Sequence, residues 1–325
     1  MRRARVILLA MVLLLSVTLA AYAATDYQVR LIKKFYSIGT ASVNGTYYPV
    51  GNSIARLFGS MLNDIEAIAE PTAGSLANIE YLRRGQIDLA LIQSDVAWMA
   101  FNGTHYYSAN RFRELRILAS LYSEVIQIVV RADSDIKTIH DLKGRQIAVG
   151  ERESGSAASI VFVLSAAGMQ PEDYSLVYER FTRTTESLRD GVVDAIAYAG
   201  AIPADGISRL AAKVPLRLIE VPVAVRDSLI KDFPYFSAEV ITQKSYPGQE
   251  QAIQSVGFRA LLAGTENLDQ KEVEAMLQAI YANPEQISDQ NNIIIRPRFE
   301  EGRKGLQDDM LHAGALRFFS KPPRR

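Results

Sequence analysis

The chain has 325 residues, 48% of them apolar, with 36 basic against 36 acidic side chains and no cysteine. That length accommodates about two domains, and the even charge argues against a nucleic-acid partner. The missing thiols exclude disulfides, thiolate metal sites and a lipid-modified cysteine.

Arg2, Arg3 and Arg5 form a basic start, residues 6–15 (VILLAMVLLL) an apolar core, and Ala21-Tyr22-Ala23 places small residues where a signal peptidase reads. Residues 1–23 are therefore expected to be a signal peptide cleaved after Ala23, leaving a periplasmic chain that begins at Ala24. Ten uninterrupted apolar residues are too few to span a bilayer, and the arginines lack the rest of a twin-arginine pattern. The mature chain would carry 33 basic against 36 acidic residues and no transmembrane helix.

Residues 27–40 read as a strand, and ASVNGTYYPVG then leads into apolar residues at helical spacing, Ile54, Leu57, Phe58 and Leu62. Five residues separate Gly39 from Gly45 and no lysine follows, so this is not a phosphate-binding P-loop. What remains is a helix start with Thr46, Tyr47 and Tyr48 as donors. The tyrosine pair reads either as core or as a ligand wall of apolar faces with hydroxyl tips.

The densest stretch, Pro71 to Ala97, reads PTAGSLANIEYLRRGQIDLALIQSDVA. Thr72, Gly74 and Ser75 precede Leu76, Ile79 and Leu82, and Gly85 sits where that helix must end. A helix start of this kind either is capped by Thr72 or Ser75 or presents free N–H groups to an anion. Leu89 to Ile92 fits a strand buried on both faces, with Gln93, Ser94 and Asp95 at its carboxyl end. Leu82-Arg83-x-Gly85-x-x-Asp88 recurs as Leu188-Arg189-x-Gly191-x-x-Asp194, again before an apolar strand, which suggests two similar lobes.

Residues 115–131 read as extended chain crossing between regions, and 137–149 as a short helix and a strand. GERESGS, residues 150–156, opens a third hydroxyl-bearing helix start, the second lobe's counterpart of the turn at Thr72 to Ser75. DAIAYAG, residues 194–200, is that lobe's buried strand, with Gly200 and Pro203 just past its end; residues 235–263 are a return crossing, and the remainder is mainly helical. His105, His140 and His312 lie beyond metal-pair spacing of one another and read as surface or capping residues. No G-x-S-x-G elbow supports a hydrolase, so neither catalysis nor a cofactor is expected.

IGTASVNGTYYPVG, PTAGSLANIEYLRRGQIDLALIQSD, DLKGRQIAVGERESGS, LRDGVVDAIAYAGAIP and the late YPGQ and LHAGALRFF together resemble the TAXI family, the extracytoplasmic solute receptors of tripartite ATP-independent periplasmic (TRAP) transporters. The resemblance runs in order over nearly the whole mature chain. It implies an α/β, two-lobed periplasmic binding protein of type II-like form, each lobe a mixed sheet flanked by helices, joined by a two-segment hinge near residues 124–131 and 236–256. Lobe 1 would comprise residues 24–123 and 250–325, and lobe 2 residues 124–249.

The same resemblance implies a monomer that takes a small, anionic solute, a carboxylate or an amino acid such as glutamate or glutamine, to the TRAP permease membrane subunits. An ATP-driven importer or a signalling system are the other settings for such lobes. Carried over by position, the site would use Thr40, Gly45, Thr46, Tyr47, Tyr48, Thr72, Gly74, Ser75, Asn78, Gln93 and Ser94 from the first lobe. The second would add Ser154, Gly155, Ser156, Gly200 and Pro203. Ala41-Ser42 and Ala73 replace glycines common in the family, which would narrow the cleft or add a hydroxyl. Arg152, Arg180 and Arg183 are candidates to pair a carboxylate.

Overall fold

The computed structural model describes residues 14–18, 33–287 and 295–321. The expected signal-peptide cleavage after Ala23 and the start of the strand expected from residue 27 lie outside the described residues. Among those described, no helix is long and apolar enough to cross a membrane.

Two copies of one βαβαβ unit build the molecule. The first runs β1 (Lys34–Gly39), α1 (Tyr47–Met61), β2 (Ile65–Glu70), α2 (Ser75–Arg83) and β3 (Leu89–Gln93), and is followed by α3 (Ser94–Asn102). A long strand, β4 (Leu115–Arg131), leads to the second: β5 (Gln146–Ala148), α4 (Gly155–Ala166), β6 (Ser175–Val177), α5 (Phe181–Arg189) and β7 (Ala195–Gly200). The chain continues through α6 (Asp205–Ala211), β8 (Leu216–Ile219), α7 (Val223–Asp232), β9 (Ser237–Ile241) and β10 (Ile253–Thr265), then α8 (Gln270–Ala282) and α9 (Ala313–Phe319).

Within each unit the strands are parallel and the first lies between the other two, in the orders β2-β1-β3 and β6-β5-β7. The recurring LRxGxxD phrase has the same task in both. Gly85 and Gly191 take φ of +63° and +71° to end the preceding helix, a conformation that suits glycine. Asp88 Oδ2 then accepts the Ser37 N–H, and Asp194 Oδ2 the Gln146 N–H, each at 2.8 Å. Each aspartate thus fixes the strand entering from its own helix to the first strand of its unit.

The lobes do not carry separate sheets. β4 and β10 run antiparallel to one another, with β10 also pairing β3 on one side and β4 pairing β7 on the other, so among the described residues a single mixed sheet of ten strands passes through both lobes. Long strands can do this because β4 is apolar and buried along almost its whole length. Separate apolar cores flank the sheet, one set about Ile54, Phe58 and Leu91 with Ile79 and Ile92, the other about Ile147, Val163 and Phe258 with Val129 and Ile196. α9 is held against α8 by Tyr281, Phe318 and Phe319, and His312 caps it, its Nδ1 accepting the Gly314 N–H.

Candidate functional site

Parallel βα units place their loops at the carboxyl ends of the strands, and here the loops of both units meet face to face. They enclose a cavity of about 70 Å³. Ala41, Ser42, Gly45, Thr46 and Tyr47 line it from the β1–α1 turn, Ala73, Gly74 and Ser75 from the start of α2, and Gln93 from the end of β3. The opposite wall is Gly150, Glu151, Ser154, Gly155 and Ser156 at the start of α4, with Phe181, Tyr198 and Ala199, and Glu124 lies on β4.

Of the residues expected at the site, Gly45, Thr46, Tyr47, Gly74, Ser75, Gln93, Ser154, Gly155 and Ser156 are brought together there. The others lie behind the wall. Thr40 donates its hydroxyl to the Glu70 carbonyl, and Asn78, fully buried, donates to the Thr40 and Leu91 carbonyls. The Thr72 hydroxyl lies between the Thr40 carbonyl and Asn78 and accepts the Gly74 N–H. Ser94 accepts the Arg259 N–H. Tyr48, Gly200 and Pro203 are outside the lining. Thr40, Thr72, Asn78 and Ser94 hold the turns that line the cavity in place, because a buried backbone polar group needs a partner and short polar side chains beside a cleft supply one.

Neither Thr72 nor Ser75 caps α2. Its N-cap is Gly74, and the N–H groups of Leu76 and Ala77 donate instead to the Glu153 carbonyl across the cleft, at 3.1 and 3.3 Å. The α2 start, read from the sequence as either capped or open to an anion, is thus occupied by the facing loop. Further bonds cross beside it: Asn44 Nδ2 to Thr182 Oγ1 at 3.2 Å, Thr46 Oγ1 to the Tyr198 hydroxyl at 3.2 Å, and Ser159 to both Gln93 and Asp95. This is a closed cleft.

The start of α4 is not occupied in this way. Ser154 caps it by accepting the Ala157 N–H at 3.1 Å, which leaves the amides of Gly155 and Ser156 at the cavity wall, at the positive end of the helix dipole. Ser156 Oγ accepts the Ala199 N–H at 3.0 Å, so its own proton is available to an oxygen in the cleft. Ser156→Ala should leave that buried N–H without a partner and cost about 1–3 kcal/mol of stability, read as a lower midpoint in urea unfolding. An unchanged midpoint would mean that the strand end relaxes around the loss.

Sequence reasoning missed Glu124, Gly150, Glu151, Phe181, Tyr198 and Ala199. Glu124 carried a signal, since a carboxylate within the apolar run of β4 is an exception that needs a cause. Phe181 and Tyr198 stack at 4.2 Å between ring centres, a pairing between residues 17 apart that spacing does not reveal. The three candidate arginines do not line the cavity: Arg152 lies over the Tyr178 ring, Arg180 pairs with Glu151, and Arg183 pairs with Glu179 and Glu186.

The sequence model of the NMT1-like family matches residues 38–321, both βαβαβ units included. The chain belongs to the NMT1-like family. Its fold is the α/β fold of two-lobed periplasmic binding proteins. A Listeria monocytogenes protein described as an L-cystine ABC transporter superposes with a TM-score of 0.52 at 12% identity, over 79% of this chain and 95% of that one. A Bordetella bronchiseptica RB50 protein gives 0.52 at 16% identity over 89% and 80%. The ligand-binding component of an ABC-type import system from Staphylococcus aureus, with zinc bound, gives 0.50 at 10% identity over 79% and 76%.

Two buried acids lie in and just behind this NMT1-like cleft. Glu124 is 2% exposed and accepts the Tyr47 hydroxyl at 2.6 Å; burial, opposed by that bond, pushes its carboxyl up to about 8. Asp95, just behind Gln93, is fully buried and is pushed up to about 6 for the same reason, with the Ser159 hydroxyl opposing. Tyr47 and Tyr198 are raised by burial as well and stay neutral donors. Among the described residues no three His, Asp or Glu side chains cluster as metal ligands.

Proposed function

We propose that this protein is a periplasmic solute receptor of the TAXI type, which captures a small carboxylate or amino acid such as glutamate or glutamine and delivers it to a TRAP permease driven by an ion gradient. The signature stretches from IGTASVNGTYYPVG to LHAGALRFF support the TRAP assignment. The observation that carries the receptor reading is the cleft itself, closed by bonds from the start of α2 to Glu153 and from Thr46 to Tyr198. The solute's oxyanion would rest on the Gly155 and Ser156 amides and the Ser156 hydroxyl, with Tyr47, Phe181 and Tyr198 excluding water. The event is binding and closure, with no bond made in the solute.

In this reading the lobes comprise residues 24–123 with 250–325, and 124–249, and they separate by bending where β4 and β10 pass between them. The mature protein begins at Ala24 and works as a monomer. A second reading, the receptor of an ATP-driven importer, is favoured by the fold shared with ABC import components. Small-angle scattering of the protein stripped of ligand, then titrated with whatever mass spectrometry identifies as the co-purified solute, tests the reading common to both. The radius of gyration should contract on binding. An unchanged radius at saturation would show a rigid pocket and remove the receptor cycle. Uptake by vesicles bearing the permease, driven by a sodium gradient without ATP, decides between the two partners.

A further inference from the structure

The cavity holds an uneven set of charges. Among the described residues two carboxylates line it, Glu124 and Glu151, and no lysine, arginine or histidine does. Glu151 is answered from outside by Arg180 at 3.3 Å. Glu124 has no ion pair among the described residues: the nearby Arg259 acts on it only from a distance and gives its guanidinium to Ser120, Ser123 and Glu301, and the bond Glu124 receives is the neutral Tyr47 hydroxyl. A carboxylate held in a low-dielectric wall without a countercharge is costly unless something neutralises it. A simple dicarboxylate or a sulfonate would add to the difficulty by bringing more negative charge.

We infer that Glu124 is the anchor for an ammonium group of the solute, so that the receptor selects small amines that also carry an oxyanion, α-amino acids above all, and rejects the matching acids without nitrogen. The inference rests on reading the cleft as a solute site. Such a zwitterion finds separate, complementary partners in one cavity: the amides at the start of α4 for the carboxylate, and Glu124 on β4 for the ammonium. In this closed cleft burial raises the Glu124 carboxyl to about 8, so the group carries a proton at neutral pH unless a cation lies beside it. Entry of an ammonium supplies the missing cation and expels that proton.

The groups that face Glu124 are consistent with a single transferable proton. Tyr47 on α1, Tyr198 on β7 and Tyr122 on β4 itself are all held neutral by burial. Asp95 at the start of α3 raises Glu124 further, Arg259 on β10 lowers it, and Glu151 shares the cavity from the β5–α4 loop. For an ammonium ligand the dissociation constant should therefore fall about tenfold per pH unit from pH 6 to about pH 8, then level off.

The experiment uses the mature chain after unfolding and refolding to strip bound solute, with calorimetric titration of the common L-amino acids and of their 2-oxo acid counterparts. At least one amino acid should bind a hundredfold or more tighter than its 2-oxo acid, and at pH 7 its binding should release close to one proton, read from the dependence of the heat on the buffer's ionisation enthalpy. Glu124→Gln should abolish the proton release and bring the two compounds to within about threefold of each other, while circular dichroism confirms the fold. The proton count of the wild type stands even if that variant fails to fold. A 2-oxo acid bound as tightly as the amino acid, or binding without proton release, overturns the ammonium anchor and leaves the receptor intact. If no compound binds and the purified protein carries none by native mass spectrometry, both readings fall.

Discussion

Gly74→Val should reduce solute affinity by a hundredfold or more and hold the protein in its extended, open form. Gly74 has φ +123° and ψ −152°, a region that essentially only glycine occupies. A Cβ there would lie 3.2 Å from Ser154 Cα and 3.5 Å from Ser154 Cβ on the opposite wall. Valine therefore adds about 1–3 kcal/mol of backbone strain and wedges apart the surfaces that let Leu76 and Ala77 reach the Glu153 carbonyl. The closed state alone suffers the second effect, so affinity falls more than stability does; each 1.4 kcal/mol of that penalty is about tenfold in the dissociation constant. Gly74→Ala, with one methyl against the Ser154 backbone, should lose about tenfold. Titration calorimetry with scattering on the same samples provides the check. Wild-type affinity together with normal contraction in Gly74→Val would mean that closure does not require this approach.

The ligand-free protein should be most stable in mild acid and lose on the order of ten degrees of thermal midpoint between pH 5 and pH 8.5. Both buried acids act in this direction because their folded values are raised. The contribution of Asp95 is complete below its ordinary value of 3.8 and is lost as pH climbs to about 6, a change of about 3 kcal/mol taken alone. That of Glu124 is complete below 4.5 and lost by about 8, about 5 kcal/mol taken alone. Over these windows the unfolded chain ionises while the folded chain must keep the proton or bear a buried charge. Asp95→Asn and Glu124→Gln should each flatten its own part of the profile and raise the midpoint at pH 8. A melting temperature that is level or rising from pH 5 to pH 8 would show that these carboxylates are better solvated than their burial indicates.

Much of the fold was legible because its signals are local. The LRxGxxD phrase marks a helix end, a left-handed turn and a strand entry within seven residues, and it does so twice. β3 and β7 could be read from apolar runs, and β4 from its length. The single continuous sheet was not legible, since strand pairing joins residues such as Tyr122 and Ala260 that are far apart in the chain. At the site, glycines and hydroxyl-bearing residues at helix starts could be found from their place after strands. Whether such a residue faces the cleft or supports it from behind could not, and the family resemblance, carried over by position, groups Thr40, Asn78 and Ser94 with Gly45, Ser75 and Gln93 without separating the two.

By itself the sequence determined a helix-turn-strand phrase that occurs twice, the turns that end those helices, and a set of small and hydroxyl-bearing residues at the helix starts. These follow from periodicity and backbone preference over a few residues. Only the tertiary structure decided that the start of α2 is taken by Glu153, that Asp95 and Glu124 lie buried behind and within the cleft, and that no cation among the described residues lines the cavity. Those outcomes depend on which distant loops come to face each other, and the cost of a buried charge is set by everything packed around it.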